Sequence, residues 1–387
     1  MRILILGDVP PGLIGGAQVQ SLHLARRWAA AGHPVLIVGP ANRPASDGHV
    51  SIVRLPVVRR LKILRAGSYL ISATWFLWRR RYEYDLIYCR FLKEHALAAS
   101  LARRLLRLKQ PLVSCPANTG NQGDIYYVKH APLPWLWRWA FSRGVSCINA
   151  MSARLAREVA TLALAPIPVS RIPNGVVVPR QAPDLRRQDR PPRILCVGRF
   201  VAYKGHDVLL RAIRLLLDAG HAFELRLVGY GPLHLMLEAD ISRLGLSDVV
   251  SILGQRLPEQ ILDEIQQADL FVLPSLCEGM PGALLEALAH GLPAIATQVS
   301  GSVDILDDEI GWLVPVGDAE ALASAIAAAL DAGPDRLREM GSNARYKVAR
   351  EYDMDVVAAR YLTLFKELTD SSNAATEVNL REPVGRI

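Results

Sequence analysis

Long apolar runs and clustered cysteines are missing from this sequence of 387 residues, and we expect no secretion signal. No apolar run approaches the roughly eighteen residues that cross a bilayer. The opening MRILILGD is too short for a signal peptide and breaks at Gly7-Asp8. The five cysteines are scattered without a C-x-x-C pair, which argues against a zinc site or a disulfide framework. We therefore expect reduced thiols in a cytoplasmic protein that is not integral to the membrane.

Acidic residues are scarce in one half of the chain only. Residues 1–175 contain 24 Lys and Arg against 7 Asp and Glu, a net of +17, whereas the remainder contains 21 against 30, a net of −9. This asymmetry indicates an anionic partner for the amino-terminal half.

The length of the chain also exceeds what a single hydrophobic core usually supports, so two domains are expected.

The most informative stretch is 270–304, LFVLPSLCEGMPGALLEALAHGLPAIATQVSGSVD. Leu270 to Pro274 and Ala294 to Thr297 are short apolar runs that predict buried parallel strands. A helix is predicted between them, from about Ala283 to His290. Strand, loop, helix and strand in this order form the repeat of a parallel α/β sheet.

The loop and the first turns of this helix are a predicted ligand site. Unpaired amides at a helix N-terminus attract a diphosphate. Glu278 in the loop and Glu286 in the helix cannot bind phosphate, but carboxylates accept hydrogen bonds from sugar hydroxyls. Amides for a diphosphate beside carboxylates for hydroxyls indicate a nucleotide diphosphate sugar.

The segment EGMPGALLEALAHGLPAIAT resembles the E-x7-E signature of the retaining glycosyltransferases of family 4, which have the GT-B fold. The resemblance implies an α/β protein with two Rossmann-like domains whose parallel sheets face an interdomain cleft. It implies that Glu278 contacts the transferred sugar and that Glu286 holds the ribose. The donor-binding loop between them comprises Gly279, Met280, Pro281 and Gly282.

A second motif of the family lies at the start of the carboxy-terminal half. VGRFVAYKG resembles V-G-R-x4-K-G, in which the Arg and the Lys grip the donor diphosphate. Arg binds phosphate bidentately and Lys acts as a point charge, which suits Arg199 and Lys204 to this role. The predicted catalytic residues are therefore Glu278, Arg199 and Lys204, with no metal or other cofactor.

Shorter motifs supply further predicted donor contacts. IPNGV at 172–176 resembles the family's I-P-N-G-V-D, with Val177 in place of the Asp. GYGP at 229–232 resembles its G-x-G-P turn, and GQRL at 254–257 stands where the family binds the nucleotide base. Gly15-Gly16 matches a Gly-Gly turn that lies at the interdomain cleft in the family. The additional donor-binding predictions are Gly15, Gly16, Asn174, Gly198, Gly229, Gly231, Gly254 and Arg256.

The amino-terminal half begins with a βαβ pattern that lacks the marks of a nicotinamide-binding domain. Arg2 to Leu6, Ala17 to Ala31 and Val35 to Val38 are predicted as strand, helix and strand. G-x-G-x-x-G is absent, and no acid ends the second strand to hold a ribose.

Further strands of this half are predicted at Tyr84 to Tyr88, Pro111 to Cys115 and Gly144 to Asn149. Many members of the family carry a His after the second of these strands, near the transferred sugar. The corresponding strand is predicted at Pro111 to Cys115, and CPANTG follows at 115–120 with no His. Asn118, Thr119 or Asp124 could serve on the acceptor or sugar side instead, and the spacing does not choose among them.

Two stretches combine aromatic and basic residues, RRLKILRAGSYLISATWFLWRRR at 59–81 and KHAPLPWLWRWAFSR at 129–143. Trp between basic clusters favours a helix in a lipid interface, but a helix packed on the sheet explains the first stretch equally well. Nucleic acid attracts the same side chains, yet no nucleic-acid-binding module is present. We expect a peripheral protein on the inner face of the cell membrane, with no nucleic-acid partner.

The predicted domains are 1–176 on the acceptor side and 193–353 for the nucleotide sugar, joined by a Pro-rich linker at 177–192. A helix at about 354–369 returns to the first domain, and a disordered tail is expected at 370–387. Asp353-Met354-Asp355 mimics a D-x-D metal motif, but Asp is a good helix cap at this position.

The predicted activity is transfer of a hexose from a nucleotide diphosphate sugar to a hydroxyl acceptor with retained anomeric configuration. The acceptor is expected to be a lipid-linked glycan in cell-surface polysaccharide assembly. A GT-B sugar-nucleotide epimerase is the first alternative, although it needs acid and base carboxylates in the amino-terminal half, which is poor in acids. A catalytically inactive GT-B binding protein is the second. The missing His favours it slightly, whereas the presence of Glu278, Glu286, Arg199 and Lys204 opposes it.

Overall fold

The computed structural model describes residues 1–11, 15–58, 62–164, 167–180 and 190–381. The chain divides into two compact units, unit 1 with Met1–Asn174 and Met354–Ile387, and unit 2 with Gly175–Asp353. The boundary predicted at residue 176 lies two residues from the observed one. Residues 181–189 of the predicted linker and residues 12–14 of the glycine-rich turn lie outside the described residues.

Unit 1 is built on a sheet with helices in the crossover connections. The strands are β1 (Ile3–Leu6), β2 (Val35–Gly39), β3 (Ala45–Asp47), β4 (Val50–Arg54), β5 (Leu86–Arg90), β6 (Leu112–Cys115), β7 (Cys147–Asn149) and β8 (Val169–Ser170). The helices before the unit boundary are α1 (Gly16–Ala30), α2 (Lys62–Arg79), α3 (Glu94–Leu105), α4 (Asp124–His130), α5 (Pro134–Gly144) and α6 (Ala153–Ala160).

Within the described part of unit 1 the strand order is β3-β4-β2-β1-β5-β6-β7-β8. The pairings are parallel except that β3 runs antiparallel to β4. The chain moves outward from β1 through β2 to β4 in one direction, and then returns to move outward from β5 through β8 in the other. Right-handed crossovers therefore place α1 on one face of the sheet and α2, α3 and α5 on the opposite face.

Three strands of unit 1 escaped the sequence analysis, and one was misplaced. β3 and β8 are very short, and β4 is only partly buried, so none of them shows a continuous apolar run. The strand predicted at Tyr84 to Tyr88 begins at Leu86 and ends at Arg90. Arg90 is a charged residue that closes this fully buried strand, so the end of the strand does not coincide with the end of an apolar run.

Unit 2 repeats the same architecture. Its strands are β9 (Arg193–Val197), β10 (Glu224–Val228), β11 (Val250–Gly254), β12 (Leu270–Leu273), β13 (Ala294–Thr297) and β14 (Gly311–Val314). Its helices are α7 (His206–Asp218), α8 (His234–Arg243), α9 (Pro258–Gln267), α10 (Gly282–Ala289), α11 (Ser302–Ile305), α12 (Ala319–Asp331) and α13 (Gly333–Glu351).

The parallel sheet of unit 2 has the order β11-β10-β9-β12-β13-β14 in the described residues. The chain first builds outward from β9 through β10 to β11, then returns to build outward on the other side from β12. The strand order therefore reverses between β9 and β12, which are hydrogen-bonded neighbours. In open α/β sheets a ligand binds at such a switch point, beyond the carboxyl ends of the strands.

The last helix, α14 (Met354–Arg381), belongs to unit 1 and packs on α1. Trp28 of α1 is fully buried, stacks edge-on against Tyr361 and Phe365, and donates its Nε1–H to the carbonyl of Ala358 at 3.2 Å. The helix continues to Arg381, into the segment expected to be disordered, and TDSSNAATEVNLR contains no Gly or Pro to end it. No helix in the described residues is long and apolar enough to cross a bilayer.

Candidate functional site

The loops that follow β9 and β12 meet at the switch point of unit 2. Because these two strands are parallel neighbours, their carboxyl ends lie at the same edge of the sheet. The backbone N–H of Leu276 donates to the carbonyl of Tyr203 at 2.8 Å and joins the two loops directly. The fold therefore brings together two loops that lie far apart in the sequence.

Gly205 permits this close approach. Its φ is +67°, a left-handed conformation that L side chains rarely adopt, and a Cβ added there would lie 2.1 Å from the carbonyl oxygen of Pro274. The residue stands between a short 3₁₀ turn and the start of α7. A glycine is therefore required for Lys204 to reach the β12 loop.

Lys204 and Glu278, which the sequence assigned to the same site, contact each other. The Nζ of Lys204 donates to Oε1 of Glu278, and the hydroxyl of Ser275 donates to the same oxygen at 2.8 Å. Glu278 is 8% exposed, so the ammonium group offsets much of the cost of burying its charge. An ammonium has three donors, which allows Lys204 to contact a phosphate oxygen while it holds Glu278.

Ser275 was missed by the sequence analysis. It is fully buried, and its carbonyl accepts a hydrogen bond from Oγ1 of Thr297 at 2.5 Å. It thereby links the Glu278 carboxylate to the end of the neighbouring strand β13. The signal in the sequence was the position of this serine, two residues after the apolar run of β12 and three residues before Glu278.

Arg199 lies in the β9 loop with an exposed side chain, and it forms no ion pair with another described residue. The loop itself is fixed by the end of β10. A Cβ at Gly229 would lie 1.8 Å from the carbonyl oxygen of Gly198, and one at Gly231 would lie 2.4 Å from that of Phe200. These predicted donor-binding glycines therefore shape the loop that presents Arg199.

The predicted donor loop 279–282 is tightly packed. Gly279, Met280 and Pro281 are buried, and α10 begins at Gly282. A Cβ at Gly301 would lie 2.5 Å from the Cα of Met280, which shows how closely the residue before α11 approaches the loop. This packing holds the amides at the start of α10 in fixed directions, as an anion site requires.

Glu286 lies on α10, in its second turn. Burial of the carboxyl group in the surrounding protein raises the pKa of Glu286 to about 7, although the side chain retains solvent-exposed surface. The group therefore changes charge near neutral pH. A carboxylate that opens to solvent beside the loop can accept hydrogen bonds from vicinal hydroxyls, as predicted for the ribose.

The predicted base-binding residues follow β11. Gly254 has a φ of +72° and accepts a hydrogen bond from the backbone N–H of Gly229 at 2.9 Å. The Nε of Arg256 is buried and has no hydrogen-bond partner among the described residues.

In unit 1 the structure assigns Asp124 a structural role. Its Oδ2 accepts from the backbone N–H of Leu92 at 2.9 Å and of Ala117 at 3.2 Å, and its Oδ1 lies 3.3 Å from the Nζ of Lys93. Burial raises the pKa of this carboxyl group, which is almost fully buried. These contacts join the loops after β5 and β6, so Asp124 is not a suitable substitute for the family's His. Asn118 is half-buried and Thr119 is buried in the same segment.

Arg90 is a second residue that the sequence analysis missed. It closes β5, is 5% exposed, and donates from Nη2 to Oδ1 of Asn174 at 2.6 Å. Asn174, predicted as a donor contact, is therefore the partner of a buried guanidinium in unit 1. Gly15 and Gly16 stand where α1 begins after β1, the strand beside β5.

Two family models match the chain in succession. The model described as Glycosyltransferase Family 4 matches residues 14–180, and the model described as Glycosyl transferases group 1 matches residues 178–347. The chain belongs to glycosyltransferase family 4. The resemblance seen in the E-x7-E segment is confirmed.

Curated relatives of this family 4 chain match it over different lengths. The amylovoran biosynthesis glycosyltransferase AmsK of Erwinia amylovora is 36% identical over 186 residues, 46% of each chain. The putative colanic acid biosynthesis glycosyltransferase WcaL of Escherichia coli K12 is 35% identical over 210 residues, 52% of this chain and 51% of its own. The chain thus spans about half the length of these relatives. A phosphatidyl-myo-inositol mannosyltransferase of Mycobacterium leprae is 29% identical over 95% of this chain and 96% of its own.

Solved structures match nearly the whole chain. Sucrose-phosphate synthase from Thermosynechococcus elongatus superposes with a TM-score of 0.76 at 22% identity, covering 96% of this chain and 100% of its own. Anabaena HepE in complex with UDP superposes with a TM-score of 0.74 at 19% identity, covering 95% and 100%. The fold of this family 4 chain is GT-B, as predicted.

The elevated pKa of Glu286 predicts how donor binding depends on pH. A carboxylate accepts stronger hydrogen bonds than a neutral acid, by about 1 kcal/mol. Because burial raises the pKa of Glu286 to about 7, affinity for a nucleotide sugar is expected to rise roughly threefold to fourfold between about pH 6 and pH 8. Isothermal titration calorimetry on the full chain measures this.

The variant Glu286→Gln is the control, since it keeps the shape of the side chain and cannot ionise. It is expected to bind at the weaker, low-pH affinity throughout the range. An unchanged affinity of the parent protein across the range, or a Glu286→Gln variant with the same pH profile as the parent, would remove Glu286 from the hydroxyl-binding role.

Proposed function

We propose that this protein transfers a sugar from a nucleotide diphosphate sugar to a hydroxyl acceptor, with retention of anomeric configuration. The observation that carries the proposal is the contact between Lys204 and Glu278 at the switch point of unit 2. This contact places a group suited to phosphate directly beside a group suited to sugar hydroxyls. A donor whose diphosphate is bonded to its sugar needs both within one site.

Bond cleavage in such a donor leaves negative charge on the departing diphosphate. Arg199, Lys204 and the amides at the start of α10 are the groups proposed to stabilise that charge. Glu278 orients the sugar by accepting a hydrogen bond from a hydroxyl. We assign no covalent nucleophile, and we propose that the acceptor attacks on the face from which the diphosphate leaves. As the acceptor oxygen bonds to the sugar and the sugar–phosphate bond breaks, an oxygen of the departing phosphate receives the acceptor's proton.

The proposed acceptor is a lipid-linked glycan in cell-surface polysaccharide assembly, and the proposed sugar is a hexose. Support comes from the relatives named for amylovoran and colanic acid biosynthesis. A galactosyltransferase of Escherichia coli, 24% identical over 82% of this chain, is named for an acceptor on diphosphoundecaprenol. All five cysteines are free thiols, and four of them are buried, which suits a cytoplasmic location.

Removing either cation of the site tests the proposal. Arg199→Ala and Lys204→Ala each delete a charge-assisted phosphate contact, which contributes about 1.5–3 kcal/mol to binding and more as charge develops during transfer. We expect both variants to lose nearly all transfer activity, with an unchanged unfolding transition for Arg199→Ala and a lower unfolding temperature for the folded Lys204→Ala. Lys204→Ala is expected to be the more damaging, because it also removes the ammonium from the buried carboxylate of Glu278.

Arg211→Ala is the matched control, since Arg211 is an exposed arginine of unit 2 on the surface of α7. Its transfer rate is expected to stay close to that of the parent protein. Rates are measured with a panel of nucleotide sugars and polyisoprenyl-diphosphate glycans, and products are separated from free sugar and from epimerised donor. Turnover within about twofold of the parent in both site variants would refute the diphosphate assignment.

We also propose that transfer needs no metal ion. Arg199 and Lys204 can supply the positive charge that a divalent ion would otherwise bring to the diphosphate. In the D-x-D segment, Asp355 accepts a hydrogen bond from Nε of Arg27 at 3.0 Å, so this carboxylate has a structural partner. The expected result is full activity in excess EDTA. A loss of activity that Mg²⁺ or Mn²⁺ restores would contradict the proposal.

A further inference from the structure

One face of unit 1 carries an apolar and basic surface that sugar transfer does not require. The helices α2 and α5 both pack against α3, in the layer on the side of the sheet opposite α1. Residues 62–82 and 125–157, which contain α2 and α5, include no Asp or Glu. The positive charge of this layer is therefore not neutralised within these segments.

The helix α2 is apolar on two opposite sides. Tyr69, Ala73 and Leu77 form a buried stripe at a spacing of four residues, and the ring of Tyr69 contacts His95 of α3. Ile71 and Trp75 lie roughly 200° around the helix from this stripe and are 74% and 54% exposed. A surface helix normally has polar residues on its outer side. The structure thus packs one side of α2 and leaves a second apolar side for a partner.

The helix α5 adds an aromatic and basic stripe. Its inward side is formed by Trp137 and Phe141, which are buried. Its outward side consists of exposed residues at helical spacing, namely Trp135, Arg138, Trp139 and Arg143. The guanidinium of Arg104, from α3, lies 3.8 Å from the ring centroid of Trp139. Basic and aromatic groups therefore alternate along α5 and continue onto α3.

We propose that this surface, the α2–α5 face formed by Ile71, Trp75, Trp135, Arg138, Trp139 and Arg143, docks on a lipid bilayer with anionic headgroups. Trp rings lie at headgroup depth, aliphatic side chains reach the acyl boundary, and Arg side chains keep their guanidinium groups among the phosphates. The free thiols favour the cytoplasmic leaflet. The docking does not depend on the sugar-transfer chemistry, and it would bring unit 1 to a membrane-embedded acceptor.

Charge and composition favour a bilayer over other occupants. A second copy of the chain would present the same basic face, and two faces of like charge repel each other. A nucleic acid would pair with the arginines and stack on Trp, but it offers no apolar phase for Ile71, whose side chain is largely exposed. An anionic bilayer provides partners for the cations and for the aliphatic side chains together.

Co-sedimentation of the full chain with sucrose-loaded vesicles tests the proposal. Vesicles of phosphatidylcholine alone are compared with vesicles that contain increasing phosphatidylglycerol, at low and at high salt. Binding is expected to increase with phosphatidylglycerol and to weaken with salt. The pair Arg138→Gln and Arg143→Gln is expected to lower the partition coefficient by roughly thirtyfold, equivalent to about 2 kcal/mol for two cations.

The pair Ile71→Ser and Trp75→Ser is expected to abolish the binding that remains at high salt. The pair Leu235→Ser and Met236→Ser, on α8 of unit 2, is the matched control, because these apolar residues are also exposed. It is expected to bind vesicles as the parent does. Retained affinity for the donor nucleotide and an unchanged unfolding transition show that each variant is folded.

Three results would overturn the membrane assignment. The first is absence of vesicle binding by the parent protein at low salt, and the second is equal binding by the α2–α5 variants. The third is a dimer, or a complex with RNA, that the same variants disrupt while vesicle binding is unaffected. None of these results bears on the donor site, whose failure would appear in nucleotide affinity and transfer rate.

Discussion

The close approach of two loops at the switch point of unit 2 is the constraint on which the candidate site depends. Strand order reverses between β9 and β12, so the loops after these strands leave the same edge of the sheet. Gly205 lets them touch, and the contact brings Lys204 from one loop to Glu278 of the other. Neither residue alone specifies a donor, whereas the pair, as proposed above, supplies neighbouring positions for a phosphate and a sugar.

The sequence predicted unit 2 in detail because its signals are local. Buried parallel strands read as continuous apolar runs, and glycines mark the turns between strands and helices. Even so, the roles of Gly229 and Gly231 required the structure. Both are predicted to contact the donor, and the structure adds that both allow the end of β10 to lie against the Arg199 loop. A motif shows that a glycine is needed without showing what approaches it.

Unit 1 was harder to predict because its determinants are long-range. Arg90 and Asn174 are 84 residues apart and meet only in the folded unit, as do Trp28 and the residues of α14. Sequence spacing does not decide whether Asp124 contacts the sugar. The hydrogen bonds that it accepts from the backbone N–H groups of Leu92 and Ala117 are visible only in the structure. The basic and aromatic composition of α2 was evident, but which side of the helix faces outward follows only from packing against α3.

Amide hydrogen exchange with and without nucleoside diphosphate tests the central claim most directly. The full chain is labelled alone and with UDP, GDP, ADP or dTDP, and peptides are compared across both units. The account predicts that at least one nucleotide slows exchange in residues 198–206 and 275–290, and that α12 and α13 are unaffected. Slowing confined to segments outside those two loops, or no slowing with any of the four, would contradict a diphosphate site built on Arg199, Lys204 and Glu278.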